Sequence, residues 1–412
     1  MIEFERFTLE NGLRVIVHQD RSTPIVAFNL LYDVGAKDED EERTGFAHLF
    51  EHLMFSGSVN IKNFDRPLQE AGGVNNAFTS NDITNYYSSL PVKNLETAFW
   101  LDSDRMLNLA FSEKGLAVQK SVVIEEFKQR YLNQPYGDVW LLLRPLAYKL
   151  HPYKWATIGK EIGHIQNASM EEVKHFFNKH YGPQNAVLCI AGDVSEDQIK
   201  EMSEKYFGTI PKREKYNRSL QPEPQQVEYR ELTVERDVPA NAIYKAYHMC
   251  DRMHPDFYVV DLISDLLSNG KSSRLYQSLV KDKGIFTEIG AYVMGSHENG
   301  LFVVTGKISQ GVDVRKADAA LELELRKMVE TNIDENELQK VKNKLESTRL
   351  FSEMSALNKA MNLCFFELLG DANLVNKEME KYSNINPDQI RRVANELLRK
   401  DNCSTLFYLA KQ

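Results

Sequence analysis

Cysteine is scarce in this sequence, and the few that it contains are scattered. Cys189, Cys250, Cys364 and Cys403 show no C-x-x-C spacing in a chain of 412 residues. This arrangement argues against a disulfide scaffold and against a zinc site built from thiolates. We interpret the four residues as free thiols that mainly fill the core.

The sequence also lacks a long apolar run and a leader of the secretory type. No uninterrupted apolar stretch reaches the length that spans a bilayer. Residues 1–6 read MIEFER, without a basic segment followed by an apolar one. We therefore expect a cytoplasmic protein with no membrane partner, or a periplasmic one if the chain has lost a leader.

An excess of basic residues is the third absence. The 50 Lys and Arg face 59 Asp and Glu, which gives a formal charge of −9 and a pI near 5.7. Binding to nucleic acid phosphates needs a concentrated basic surface, so we expect no nucleic acid partner. With 42% hydrophobic residues, a chain of this length exceeds one ordinary core and predicts two domains.

A short motif with metal-binding chemistry stands out against these absences. Residues 48–52 read HLFEH, the order H-x-x-E-H. On a helix, positions i and i+4 share a face, so His48 and His52 can offer ring nitrogens to one metal while Glu51 projects from the same side. This order is the inverzincin signature, in which the Glu is the natural general base for a water activated by zinc.

The flanks of the motif favour the metal interpretation over the alternative. Residues 46–55 are otherwise almost wholly apolar, which predicts a helix buried over most of its surface. Buried His and Glu side chains need partners, and one metal supplies a partner for all three. The alternative is a pair of core histidines that are satisfied by hydrogen bonds.

A zinc site of this kind needs a third protein ligand, usually a carboxylate from another helix. The candidate segment is Val122–Phe127, in which Glu125 and Glu126 follow a strongly apolar run. A helix with one solvated acidic edge is the alternative interpretation. Periodicity does not choose between the two carboxylates.

Blocks along nearly the whole chain resemble the pitrilysin/insulinase family of zinc peptidases, in its short-chain bacterial branch that is similar to mitochondrial processing peptidase subunits. The blocks that carry the resemblance are residues 9–15 (LENGLRV), 45–52 (GFAHLFEH), 76–80 (NAFTS) with Tyr86 and Tyr87, 122–126 (VVIEE), 151–153 (HPY) and 185–193, which ends in AGD.

The resemblance implies roles for particular residues. It makes Glu126 the third ligand beside His48 and His52, with one Zn²⁺ per chain. It also implies that Asn76, Ala77 and Phe78 lie on an edge strand where an extended peptide substrate adds as a further strand. Seven residues before the third ligand the family usually has a supporting Glu, whereas this chain has Gln119, which can donate a hydrogen bond but brings no charge.

The chain contains an internal duplication. Ser169 and Glu172 form a capping-box pattern before an apolar helix face, a polar turn and the strand 186–191. An offset of 217 takes Ser169 to Asn386 and the strand to 403–408 without a gap. A chance match is the alternative, but two homologous halves, which the family has, predict this repeat.

We therefore predict an α+β fold of two homologous domains, each a mainly antiparallel sheet packed with helices. The N-terminal, zinc-binding domain covers residues 1–211 and the C-terminal domain residues 228–412. The linker 212–227 contains Pro222 and Pro224 and few apolar residues. The clearest strands are predicted at 13–17, 25–33, 85–90, 241–248 and 300–307, and the clearest helices at 95–109, 256–267, 314–330 and 335–350.

The second half has no H-x-x-E-H motif. In the family this half usually carries L-R-x-K-x-G-L-x-Y, whose Arg and Tyr hold and polarise the substrate carbonyl. The matching residues 279–287 read LVKDKGIFT, so Val280 stands in place of the Arg and Thr287 in place of the Tyr. Arg274, Tyr276 and Tyr292 lie nearby in the sequence as candidate substitutes.

These observations predict the zinc-bearing subunit of a two-subunit metalloendopeptidase. Glu51 acts as the base, and a homologous partner supplies the Arg and Tyr. By resemblance, four such domains enclose a chamber that admits unfolded peptides. A homodimer is the other possible assembly. The alternative function is a non-catalytic assembly subunit that retains the peptidase fold.

Overall fold

Two mixed β-sheets, each packed with helices, organise the chain in this computed structural model, which describes residues 1–214 and 216–411. The strands are β1 Glu5–Thr8, β2 Arg14–Gln19, β3 Ile25–Tyr32, β4 Val74–Thr79, β5 Thr84–Pro91, β6 Ala186–Gly192, β7 Arg230–Arg236, β8 Ala242–His248, β9 Phe286–Met294, β10 Leu301–Ile308 and β11 Cys403–Ala410. The α-helices are α1 Phe46–Leu53, α2 Asp65–Glu70, α3 Leu95–Asn108, α4 Glu113–Phe127, α5 Val139–Ala147, α6 Ile162–Gln166, α7 Met170–His180, α8 Glu196–Phe207, α9 Phe257–Ser268, α10 Val314–Glu330, α11 Glu335–Ser352, α12 Ala356–Leu368, α13 Leu374–Ser383 and α14 Pro387–Leu397. The predicted α+β class is confirmed.

The chain divides into two compact units that are not contiguous in sequence. Unit 1 contains Met1–Lys128, Trp155–Leu220 and Leu350–Lys377, and unit 2 contains the rest of the chain. The segments Gln129–Lys154 and Leu350–Lys377 therefore each belong to the unit built mainly from the other half of the sequence. The sequence did not predict this exchange, and the domain boundaries at 1–211, 212–227 and 228–412 stay a prediction.

The two sheets share one strand order. Unit 1 has the order β1-β2-β6-β3-β5-β4, and unit 2 has β7-β11-β8-β10-β9. Each sheet contains one parallel pair, β2 with β6 and β7 with β11, and all its other pairs are antiparallel. Apart from β1, the strands correspond one to one, as the predicted duplication requires.

The repeat predicted from the offset of 217 is confirmed in detail. Helix α7 and strand β6 recur at this offset as α14 and β11. Both helices begin with a reciprocal capping box, in which Ser169 pairs with Glu172 and Asn386 pairs with Gln389. Each capping side chain accepts a hydrogen bond from a backbone N–H that the helix leaves without an internal partner.

Helix α12 covers one face of the unit 1 sheet. Ala360, Leu363 and Cys364 of this helix are fully buried in a cluster with side chains of the central strands, among them Leu31 and Val187. Every residue of β6 is buried, as expected for a strand covered on both faces. In unit 2, helix α5 takes the corresponding place against β8 and β11.

The other sequence predictions of local structure also hold. All nine strands and helices predicted above are present, with ends that differ by at most two residues. Residues 212–214 and 216–227 contain neither helix nor strand. All four cysteines are free thiols, and three of them are buried. Among the described residues, no helix combines the length and the apolar character that a membrane crossing requires.

A buried carboxylate in unit 2 generates a prediction about stability. Glu324 on α10 accepts hydrogen bonds from Lys283 Nζ at 2.7 Å, Lys327 Nζ at 2.9 Å and Ser278 Oγ at 2.6 Å. Burial by itself would raise the pKa of Glu324, but the bonds from these three side chains lower it to about 2. The ionised form therefore stabilises the fold above the ordinary pKa of about 4.5, and this stabilisation is lost as pH falls towards 2.

We predict that Glu324→Gln lowers the free energy of unfolding by on the order of 2 kcal/mol at pH 7, because two lysines and a hydroxyl lose a charged acceptor. Urea denaturation at several pH values measures the difference from wild type, which should shrink between pH 4.5 and the lowest accessible pH. Glu346→Gln, at an exposed position on α11, is the matched control. A difference that stays constant over this range would contradict the assignment.

Candidate metal centre and peptide-binding strand

Helix α1 turns one apolar face to the core and one polar face away from it. Phe46, Ala47, Leu49, Phe50 and Leu53 are buried. Phe50 stacks on Phe176, Phe177 and Tyr181 at centroid distances of 5.2, 6.2 and 5.1 Å. The remaining positions on this side, 48, 51 and 52, have the spacing of a single helix face and are half-buried. The packing of the apolar side therefore fixes the direction in which the motif points.

The two histidines of this face meet one carboxylate. His48 Nε2 lies 3.6 Å and His52 Nε2 3.3 Å from Glu126 Oε2, and the two imidazole centroids are 4.9 Å apart. The three candidate ligand atoms all lie within 4.8 Å of one another, and no other such group of His, Cys, Asp or Glu occurs among the described residues. Two imidazole nitrogens and one carboxylate oxygen are a donor set that fits zinc and leaves a coordination position open.

The geometry separates the two carboxylates between which periodicity could not choose. Helix α4 packs against α1 and buries Val123 and Phe127, which turns Glu126 towards the histidines. Glu125 is exposed and pairs with Lys128 at 2.6 Å. Gln119 lies on α4 about two turns before Glu126 and is half-buried.

Glu51 is held by a residue that the sequence reasoning missed. Thr79 Oγ1 donates a hydrogen bond of 2.7 Å to Glu51 Oε2. Thr79 is the last residue of β4, and Asn75 and Ala77 share its face because strand side chains alternate. Once Asn76 and Ala77 had been assigned to a strand beside the metal, this alternation could have pointed to Thr79. The hydroxyl fixes one carboxylate oxygen of Glu51.

Strand β4 forms an edge of the unit 1 sheet beside α1. It pairs only with β5, and therefore its other side offers backbone N–H and C=O groups to a further strand. The predicted substrate residues Asn76, Ala77 and Phe78 all lie on this strand. Asn76 and Phe78 belong to its more exposed face, and Phe78 is 40% exposed. This is the arrangement that strand addition by a peptide requires.

A cavity of about 270 Å³ adjoins the motif. Its lining consists of Glu51, His52, Phe55, Asp65, Asn75 and Asn76. Behind its aromatic wall lies Arg105, which is 2% exposed and has its guanidinium 5.4 Å from the Phe55 centroid and 4.3 Å from the Phe64 centroid. Asp102 forms an ion pair with Arg105 and balances its charge. Cation–π contacts from Arg105 therefore help to hold Phe55 and Phe64 in place.

Unit 2 has no comparable arrangement at the positions where the family carries Arg and Tyr. Val280 packs against the hydrophobic core, and Thr287 is an exposed residue of the edge strand β9 whose hydroxyl donates to the Lys307 carbonyl. Arg274 is engaged in a two-bond ion pair with Glu337, at 2.9 and 2.6 Å. Tyr292 is 39% exposed on β9. Arg274 is thus occupied by a structural partner.

A larger cavity, of about 630 Å³, lies in unit 2. Its lining includes His248, Cys250 and His254. His248 Nε2 donates a hydrogen bond to the Ala147 carbonyl at 3.0 Å, and burial raises the pKa of the Cys250 thiol to about 12. A thiol of this kind is a poor nucleophile and a poor metal ligand at neutral pH. Among the residues that the structure describes, this cavity therefore offers no counterpart to the group of His48, His52 and Glu126.

Comparison with known families agrees with the geometry. The family described as "Insulinase (Peptidase family M16)" matches residues 14–155, the range that contains His48, Glu51, His52 and Glu126. A second description, "Peptidase M16 inactive domain", matches residues 167–345. The chain belongs to the M16 peptidase family. The first half contains the H-x-x-E-H motif at residues 48–52, and residues 167–345 match the domain described as inactive.

Relatives of the M16 chain span its full length. The zinc protease PqqE of Helicobacter pylori is 28% identical over 98% of this chain and 92% of its own. The crystal structure of a protease from Helicobacter pylori superimposes with a TM-score of 0.94, at 27% identity, and covers 99% of this chain and 100% of that one. The mitochondrial-processing peptidase subunit beta of Caenorhabditis elegans is 29% identical over 49% of this chain and 44% of its own.

Proposed function

We propose that this M16 chain is a zinc-dependent endopeptidase subunit. The observation that carries the proposal is the meeting of His48, His52 and Glu126 within 4.8 Å, on the same side of α1 as Glu51 and beside the open edge of β4. Metal ligands, a general base and a strand-shaped peptide site thus adjoin one another. The relatives named as zinc proteases support this proposal, because their sequences match this chain over 98% of its length.

Metal binding, proton transfer and positioning are assigned to different residues of the chain. The two histidines and Glu126 would hold the ion, and zinc, when bound, supplies a Lewis acid that polarises a carbonyl and makes a water molecule more acidic. Glu51 accepts the proton of the attacking water and delivers it to the leaving amine. Thr79 donates to one oxygen of Glu51 and so restricts the orientation of the carboxylate that takes this proton.

The substrate is an extended peptide. Addition to β4 engages the backbone groups that face its open side, where the Ala77 N–H donates to Asn76 Oδ1 at 2.8 Å in the free chain, and the alternate side chains of the peptide point to opposite sides. Only a segment that is free of its own secondary structure can pair in this way. Unfolded peptides and short polypeptides therefore fit the site, and this agrees with the chamber that the family resemblance implies.

The catalytic apparatus is completed by a second chain. A tetrahedral oxyanion needs hydrogen-bond donors beyond the metal. At the positions where the family has Arg and Tyr, this chain has Val280 and Thr287, which provide no cation. A homologous partner that carries Arg and Tyr would supply both. The ion pair of Arg274 with Glu337 supports this proposal, because it occupies the arginine that the sequence offers as a substitute.

The metal assignment predicts a separation between binding and chemistry. Purified protein should contain about one zinc per chain, and His52→Ala and Glu126→Gln should lose it. Glu51→Gln should retain zinc and lose hydrolysis, because the amide cannot accept the proton. Glu125→Gln, next to the ligand but paired with Lys128, is the matched control. Zinc content by atomic spectrometry decides, and loss of zinc in Glu125→Gln but not in Glu126→Gln would contradict the assignment.

The hydrogen bond from Thr79 to Glu51 predicts a purely catalytic defect. Thr79→Val preserves the shape but removes a bond to a charged acceptor, which typically contributes about 1.5–3 kcal/mol. We expect kcat to fall by about ten- to a hundredfold with unchanged zinc content. Thr79→Ser should recover most of the rate because it restores the donor. Equal rates for wild type and Thr79→Val would show that this bond does not position Glu51.

The partner requirement predicts complementation. Loss of one oxyanion donor typically costs about a hundred- to a thousandfold in rate, so the isolated chain should cleave unstructured peptides poorly. Addition of a homologous subunit with Arg and Tyr should restore turnover through a heterodimer. Rapid cleavage by the isolated homodimer, undiminished in Arg274→Ala and Tyr292→Phe, would contradict the proposal. A full zinc site with no cleavage in either assembly would favour the assembly-subunit alternative.

A further inference from the structure

Three consecutive charged residues lie buried between β3 and α1. Lys37, Asp38 and Glu39 are 2%, 7% and 8% exposed. A run of three buried charges is rare because each one loses its hydration, and it persists only where each side chain finds a partner. Here the partners lie on three different elements of unit 1. The segment thereby joins parts of the proposed site that are distant in sequence.

Glu39 holds the beginning of the helix that carries the motif. Its Oε2 accepts the Gly45 N–H at 2.9 Å, and its Oε1 accepts the Ala47 N–H at 2.8 Å. These amides belong to the first turn of α1, where N–H groups have no partner within the helix. The backbone at Gly45 is closely packed and requires glycine, because its φ is +88° and an added Cβ would lie 2.7 Å from the Ile158 carbonyl oxygen. The start of α1 is therefore clamped directly before His48.

Lys37 holds the hairpin that ends the peptide-binding strand. Its Nζ lies 2.8 Å from Asp82 Oδ1, and both side chains are less than 10% exposed. The backbone N–H groups of Ala36 and Lys37 donate to the carbonyls of Ser80 and Asn81 at 3.1 and 2.9 Å. Residues 80–82 form the turn directly after Thr79, the residue that holds Glu51. The segment is thus bound to the β4–β5 turn by an ion pair and two backbone hydrogen bonds.

Asp38 fastens the segment itself. It accepts the Gly35 N–H at 3.0 Å and pairs with Arg218, whose Nε lies 2.6 Å from its Oδ1. Gly35 packs so closely on the turn that an added Cβ would lie 2.5 Å from Asn81. Residues 35–39 therefore form a rigid bridge with one end on the β4–β5 turn and the other on α1.

The position of Glu39 is unfavourable for stability alone. Burial raises the pKa of Glu39 to about 8, although two backbone N–H groups bond to it. The desolvation of the carboxylate thus outweighs these bonds, and the group lowers stability at neutral pH compared with a neutral side chain. Residues kept at such positions commonly serve a site and not the fold.

From this geometry we infer that Glu39 and the Lys37–Asp82 pair are positioning residues, which set the metal helix and the peptide-binding strand at a fixed distance and orientation. The inference rests on the proposed function. It assigns the two ends of the bridge separate effects. Glu39 acts on the direction of His48 and His52 and hence on metal affinity, whereas Lys37 and Asp82 act on β4 and hence on peptide affinity.

The two effects are measured separately in full-length variants. Glu39→Gln keeps the shape but leaves one backbone N–H facing an amide NH₂, and we expect zinc to bind roughly tenfold more weakly, by competition with a chromophoric chelator. The urea midpoint of the zinc-free protein should change little, because the variant also removes an ionisable carboxyl group whose burial is unfavourable at neutral pH. A residue that serves only the fold would instead lower the midpoint and leave zinc affinity unchanged.

The other end of the bridge is tested by peptide binding. In a Glu51→Gln background, Asp82→Asn and Lys37→Met should weaken the binding of a fluorescein-labelled unstructured peptide roughly tenfold and leave zinc affinity unchanged. The matched control is Glu41→Gln, which breaks the exposed pair with Lys160 at 3.3 Å and should alter neither property. If a single substitution prevents folding, the double variant Lys37→Met/Asp82→Leu, which leaves no unpaired charge, replaces it.

The outcomes separate this inference from the function on which it rests. If the wild type binds no zinc, the proposed function fails and takes the inference with it. If the wild type binds zinc and Glu39→Gln binds it equally well, the inference alone is overturned. Equal loss of zinc and peptide affinity in all three variants would also overturn it, because the bridge would then act on the whole unit and not on its two ends.

Discussion

The packing of the apolar side of α1 is the constraint on which the site depends. The stack of Phe50 on Phe176, Phe177 and Tyr181 leaves the helix one orientation, because rotation would expose several buried aromatic and aliphatic side chains to water. With that orientation fixed, the polar face must meet α4, and Glu126 becomes the carboxylate within reach of both histidines. Hydrophobic packing thus sets the geometry of the polar site. The three candidate ligands lie close together without a bound metal or substrate.

In the same unit, the strand proposed for peptide binding, β4, lies beside the candidate metal ligands. A sheet of this order ends in β4, and an edge strand offers its backbone to any extended chain. Thr79 belongs to that strand and donates a hydrogen bond to Glu51. The proposed base is therefore linked to the strand that is proposed to pair with the peptide. The second unit repeats the strand order but carries aliphatic and hydroxyl side chains at Val280 and Thr287. Duplication therefore produced two frameworks, and among the described residues the candidate metal ligands lie in the first of them.

Much of the fold and part of the site could be predicted from local patterns. Helical spacing placed His48, Glu51 and His52 on one face, and a fixed offset identified the repeat of α7 and β6 as α14 and β11. Periodicity could not choose between Glu125 and Glu126, because their orientation depends on the packing of α4 against α1. The roles of Thr79, Glu39 and Lys37 also escaped prediction, since their partners lie on other elements and local sequence carries no signal for such contacts. The exchange of α5 and α12 between units is invisible for the same reason.

X-ray absorption at the zinc edge of the purified protein tests the central claim most directly. The account predicts a first shell of nitrogen and oxygen atoms at about 2.0–2.1 Å, with the multiple scattering of two imidazoles and no sulfur. This pattern should disappear in His48→Ala, which removes one of the two rings. Sulfur neighbours at about 2.3 Å, or a shell with no imidazole, would show that His48, His52 and Glu126 are not the metal centre.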